Sequence, residues 1–137
     1  MYYITRRVRF NAAHNLYNEH WSPEKNRQVF GPCSNLHGHN WELHATVKGD
    51  IDPETGFVMD LKVLSDELKA NLIDRIDHKY FNEDVDFMQG ILPTTENIVR
   101  EMWKIMQPIL KEKHGVDLYK LKLVETENQS VEYFGGA

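Results

Sequence analysis

The chain predicts an α+β fold with a largely antiparallel sheet, and three patterns point to it. Alternating apolar rows come first, at residues 2–14 and 37–48. Two helical periodicities follow, and another alternating row comes near the end. Strands and helices therefore occur in runs, as expected for a sheet with its helices gathered on one side. The architecture expected is an antiparallel four-stranded sheet with two helices packed on one face, in a single domain over residues 1–137.

The first strand places Tyr2, Ile4, Val8, Phe10 and Ala12 on one face, and His14 continues that row. A histidine extending a core-facing row is ordinarily a packed, hydrogen-bonded residue; its other use is as a ligand. Asn15 to Pro32 has no periodicity and reads as a long loop that runs into Cys33. Loops of this length in compact domains are commonly functional. His20 and Trp21 inside it read as loop packing. In the second strand His37, His39, Trp41 and Leu43 share a face, while Asn40, Glu42 and His44 share the other. Gly49 to Gly56 is turn chemistry, and the segments flanking it are expected to form a hairpin.

Asp60 has the character of an N-cap. Leu61, Leu64, Leu68, Leu72 and Ile76 then mark an amphipathic helix to about Ile76. Asp77-His78 follows it, and an acidic loop continues to Gly90. Thr94 is expected to cap a second helix, with Ile98, Met102, Ile105 and Ile109 as its apolar row. Pro108 should kink that helix, because it has no N–H for the Lys104 carbonyl. Gly115 is expected to end it. In the strand over 118–125, Tyr119, Leu121 and Leu123 form a row that Glu125 extends. Such a carboxylate is either at a solvated strand tip or a buried anion held for a purpose. A fourth strand is expected near Val131 to Phe134.

Composition narrows the function. Sixteen Lys and Arg against 21 Asp and Glu give a formal charge of −5, with no basic run. Nucleic acid is not expected as a partner, because phosphate neutralisation requires clustered cations. No apolar stretch approaches the ~18 residues of a membrane span, so no membrane partner is expected. The single cysteine excludes an intramolecular disulfide and suits a reducing compartment. With no signal-like apolar block after Met1, the expected location is cytoplasmic.

The chemistry gathers around Cys33-Ser34-Asn35-Leu36-His37-Gly38-His39. Imidazoles two apart on a strand point the same way and can chelate one ion. With His14 they would make a neutral three-histidine zinc site, which leaves a fourth position for water or substrate. If Cys33 were the fourth ligand, the site would be closed and structural. Otherwise its thiolate is available as a nucleophile or a general base. Gly38 places no side chain behind the pair. His78 reads either as a cap on the preceding helix or as a proton relay whose tautomer Asp77 sets.

Taken in order, Phe10-Asn11-Ala12-Ala13-His14, the Cys33–His39 motif, Asp77-His78, Pro93-Thr94-Thr95-Glu96-Asn97 and Glu125-Thr126 resemble the 6-pyruvoyl-tetrahydropterin synthase family over almost the whole chain. The resemblance implies the tunnelling fold, in which subunits associate their sheets into a barrel. It also implies a homo-oligomer, commonly a hexamer, with active sites at subunit interfaces. By the same resemblance His14, His37 and His39 bind Zn2+, Cys33 is the proton acceptor and Asp77-His78 forms the relay. Glu125 joins the catalytic set as the anchor of a pterin triphosphate substrate, assisted by the backbone around Thr94 and Thr95. A carboxylate suits that task because the pterin edge offers adjacent N–H donors that it can accept bidentately.

Two branches of the family start from 7,8-dihydroneopterin triphosphate. One keeps the three-carbon side chain as 6-pyruvoyltetrahydropterin. The other cleaves it, releasing acetaldehyde with triphosphate and forming 6-carboxytetrahydropterin on the route to queuosine-type deazapurines. Three residues between Cys33 and His37 resemble the carboxy-forming bacterial enzymes, so that zinc-dependent lyase reaction is the one expected. The pyruvoyl-forming reaction is the alternative, and a non-catalytic zinc module with Cys33 as fourth ligand is a third.

Overall fold

The structure is a computed structural model that describes residues 1–136. Strand β1 (Tyr2–His14) pairs antiparallel with β2 (His37–Gly49) along its whole length. Between them lie helix α1 (Pro23–Phe30) and a 3-10 turn (Gly31–Ser34). Helix α2 (Leu61–Leu68), a π turn (Lys69–Ile73) and α3 (Asp74–Ile76) form one continuous helical run. Strand β3 (Lys79–Tyr80), a 3-10 turn (Asp86–Met88), helix α4 (Thr95–His114), β4 (Asp117–Thr126) and β5 (Gln129–Tyr133) complete the order.

The sheet has five strands in the order β3-β1-β2-β4-β5, and it is mixed. This corrects the expected four-stranded antiparallel sheet. The added strand, β3, pairs parallel with β1 through Ala12 and Ala13. Two residues are too few to show any period, which is why the sequence hides it. A third helix, α1, corrects the expected loop. It carries no apolar stripe, and its one buried residue is Asn26. Its signal is chemical: Ser22 caps it by accepting from the Lys25 N–H, and Pro23 takes the first turn. The expected hairpin after Gly49 is absent, because residues 57–59 form bends instead of a strand.

One face of the sheet carries the core. Val8, Phe10, Trp41, Leu43, Leu121 and Leu123 lie beneath Leu64, Leu68, Leu72 and Ile76 of the helical run and Ile98, Met102, Met106 and Leu110 of α4. Asp60 and Thr94 cap their helices as their side chains predict. Gly115 ends α4 in the left-handed conformation, at φ 66°. The buried row of α4 continues through Met106 and Leu110, whereas Ile105 and Ile109 are only partly buried. The helix runs on through Pro108. A register shift opposite Thr46 and Val47 brings Leu118 to the buried face of β4, in place of the expected Tyr119.

Candidate active site

The β1–β2 register sets His14 directly opposite His37, and His39 lies opposite Ala12. Two antiparallel strands thereby deliver three imidazoles to one face. Their ring centroids lie 4.6, 4.9 and 5.2 Å apart. One potential ligand atom from each lies within 4.8 Å of the other two. Cys33 and Glu125 stand outside that group. Trp41 walls the cluster, with its ring 5.2 Å from His14 and 5.3 Å from His39. Its indole N–H is held by the Ala12 carbonyl at 3.1 Å.

The nitrogens are oriented for a ligand. His14 Nδ1 lies 2.8 Å from the Pro93 carbonyl, and His37 Nδ1 lies 2.7 Å from the Asn35 carbonyl. A carbonyl only accepts, so both Nδ1 atoms carry the proton and both Nε2 lone pairs are free. The Nε2 atoms of His14 and His39 are buried without a hydrogen-bond partner. His39 Nε2 does lie 3.2 Å from Glu125 Oε1, but without hydrogen-bonding alignment. Burial lowers the pKa of His14 below the ordinary 6.5, opposed by its bond to Pro93 and reinforced by the neighbouring His37. Burial also lowers that of His39, opposed by Glu125 and reinforced by His37. A zinc ion takes imidazole nitrogens with free, converging lone pairs, and the orphaned Nε2 atoms of His14 and His39 fit that use. The carbonyls behind His14 and His37 fix the tautomer, as backing groups do in metal sites. Sequence reasoning missed Pro93 and Asn35 in this role, because a backbone carbonyl has no residue-type signature.

Glu125 is not a solvated tip. Its side chain is 17% exposed, and Oε2 accepts from the Thr95 hydroxyl at 2.6 Å. It sits where β4 gains one residue over β5, between Val124 and Thr126. Such a bulge re-aims a side chain at the end of a pairing. Thr95 thus contributes its hydroxyl, whereas Thr94 commits its own to the Asn97 N–H as the helix cap.

Cys33 lies partly buried in the turn before β2, and its carbonyl accepts from the Leu16 N–H at 2.7 Å. Asp77 and His78 are paired, with Oδ2 and Nδ1 at 3.0 Å. Asp77 Oδ1 also accepts from the Asn11 N–H at 2.9 Å. That bond, together with His78, lowers the Asp77 pKa below the ordinary carboxylate value against the effect of burial. His78 adopts φ 62° and donates its own backbone N–H to the Asn11 carbonyl at 2.6 Å. Its side chain is 76% exposed. It borders a cavity of about 530 Å3 that Asn11, Ala12, Ala13, Gly38, His39 and Asn40 also line. By strand alternation Asn11, Ala13, Gly38 and Asn40 point away from the imidazole face, whereas Ala12 and His39 belong to it. Hydrogen bonds and ion pairs among the described residues do not join His78 to Cys33 or to the histidine cluster.

One buried and two partly buried imidazoles on a two-strand ribbon, close enough together to bind a metal, stand beside a tethered carboxylate in an α+β fold. The chain belongs to the 6-pyruvoyl tetrahydropterin synthase family, whose pattern it matches over residues 3–136. It is 42% identical to a 6-pyruvoyl tetrahydrobiopterin synthase of Pongo abelii over 134 residues, covering 96% of this chain and 90% of that one. It is 39% identical to the protein of that name from Dictyostelium discoideum over 132 residues, covering 96% and 95%. The fold matches the Caenorhabditis elegans 6-pyruvoyl tetrahydropterin synthase structure with a TM-score of 0.89, at 31% identity over 98% of this chain and 96% of that one. The similarity to a 6-carboxy-5,6,7,8-tetrahydropterin synthase of Bacillus subtilis is shorter: 33% over 87 residues, 61% of this chain and 57% of that one. These relatives shift the weight from the carboxy-forming reaction expected from sequence to the pyruvoyl-forming one.

Proposed function

We propose that the protein is a zinc-dependent 6-pyruvoyltetrahydropterin synthase, eliminating triphosphate from 7,8-dihydroneopterin triphosphate. The observation that carries the reading is the juxtaposition of three ligand-ready imidazoles with the tethered carboxylate of Glu125. Full-length similarity to proteins named for that reaction supports the choice of branch.

His14, His37 and His39 would hold the zinc, which when bound supplies Lewis acidity toward the side-chain hydroxyls of the substrate. Glu125 accepts from the adjacent N–H groups of the pterin edge, while Thr95 holds the carboxylate in place. Cys33, as thiolate, takes a proton from the substrate side chain. His78, with its tautomer set by Asp77, holds or returns a proton at a side-chain oxygen. Hydrogen moves from side chain to ring as triphosphate leaves, so the redox change is internal and balances without an added oxidant or reductant. No hydrogen bond or ion pair among the described residues joins His78 to its own chain's cluster, and the family resemblance implies that it serves the site of a neighbouring copy in a homo-oligomer.

One observation favours a second reading. The three-residue spacing between Cys33 and His37 resembles carboxy-forming enzymes. The closed-module reading has less support, because Cys33 lies outside the ligand group. The test is to add dihydroneopterin triphosphate to zinc-loaded wild-type protein and to Cys33→Ala. Triphosphate release by the wild type alone is expected, with about one zinc per chain in both. No release by the wild type, or loss of zinc with the thiol, contradicts the reading.

A further inference from the structure

Resting on that reading of Cys33 and His78, we infer that Asn15 is a positioning residue that ties both catalytic turns to the end of the ligand strand. Asn15 directly follows His14, the last residue of β1. Its side-chain amide reaches in two directions. Nδ2 donates to the Ser34 carbonyl at 3.2 Å, gripping the turn that carries Cys33. Oδ1 accepts from the Tyr80 hydroxyl, two residues beyond His78. Its backbone is bound as well. The Asn15 N–H donates to Asn82 Oδ1 at 3.0 Å, and Asn82 Nδ2 donates to the Asn15 carbonyl at 2.9 Å. A second bond to the Cys33 turn comes from the next residue, Leu16.

Only a side chain with both a donor and an acceptor can hold the two turns at once, and the asparagine amide presents the two on separate atoms that point in different directions. The pattern places the Cys33 turn and the 78–82 segment in one frame with His14. In an oligomer that shares its sites, this frame would align the thiol of one site with the relay offered to the next. A catalytic group needs that alignment, because small displacements are costly in rate.

Two substitutions separate the two arms. Asn15→Asp keeps the acceptor for Tyr80 and the backbone bonds to Asn82, but sets a carboxylate against the Ser34 carbonyl. Tyr80→Phe removes only the other arm. Cys33 is the sole cysteine, so iodoacetamide labelling read by mass reports its turn without any substrate. Asn15→Asp is expected to speed alkylation by about fivefold, the effect of one lost hydrogen bond. It is also expected to lower kcat by at least about tenfold with KM within about twofold. Tyr80→Phe should lower kcat while leaving alkylation within about twofold of wild type. Either of two results overturns the inference: alkylation and kcat both unchanged in Asn15→Asp, or activity lost only in step with zinc content and Tm. A wild type that does not turn over the pterin would instead defeat the functional reading, while the alkylation arm still tests the clamp.

Discussion

His14 and His37 each commit Nδ1 to a backbone carbonyl, and that single choice leaves each Nε2 able to bind a metal. The lowered pKa values of His14 and His39 also set how the metal-free protein responds to acid. Below the ordinary 6.5 but above the folded values, the unfolded chain binds more protons than the folded one. Stability therefore falls as pH drops through that window. The Tm of metal-free protein should be lower at acid pH than at neutral pH, and His14→Gln should flatten the dependence. Glu125 belongs to the same scale. Glu125→Gln exchanges a charge-assisted pairing for a neutral one, a loss of about 1.5–3 kcal/mol, or roughly tenfold or more in substrate affinity. Calorimetric titration with the pterin should show that loss at unchanged zinc content. Unaltered affinity would remove Glu125 from the anchor role.

At the scale of elements, legibility followed periodicity. β1, β2 and α4 were readable because their apolar rows are long, and their faces placed His14, His37 and His39 together before any coordinates. β3 is too short to carry a pattern. α1 buries a polar hub in place of an apolar stripe: Asn26 Nδ2 donates to the carbonyls of Asn18 and Ser22, and its Oδ1 accepts from the Asn18 N–H. The pairing of Thr95 with Glu125 was hidden too, because it depends on a bulge that no residue type announces. Asn26→Ala should cost about 1–3 kcal/mol by orphaning those groups. Hydrogen exchange should then speed up over residues 16–34 and stay unchanged in the sheet. In α4, Met102→Ala removes a fully buried side chain. A global loss of about 2–5 kcal/mol by chemical denaturation is expected there.

For the whole molecule, His78 is not bonded, among the described residues, to the histidine cluster of its own chain, and it borders a cavity that His39 also lines. If neighbouring copies complete one another's sites, Cys33→Ala and His78→Ala are each inactive alone. Co-refolded mixtures should then regain a fraction of wild-type turnover, and mixtures that stay inactive would contradict shared sites. The branch of chemistry is also a property of the whole site, since both outcomes begin with the same residues. The most direct test of the central claim is the ratio of acetaldehyde to triphosphate released from 7,8-dihydroneopterin triphosphate by the zinc-loaded protein. Triphosphate accumulating with no acetaldehyde is the result expected of a pyruvoyl-forming synthase. Equal amounts of the two would contradict it and assign the protein to the carboxy-forming branch.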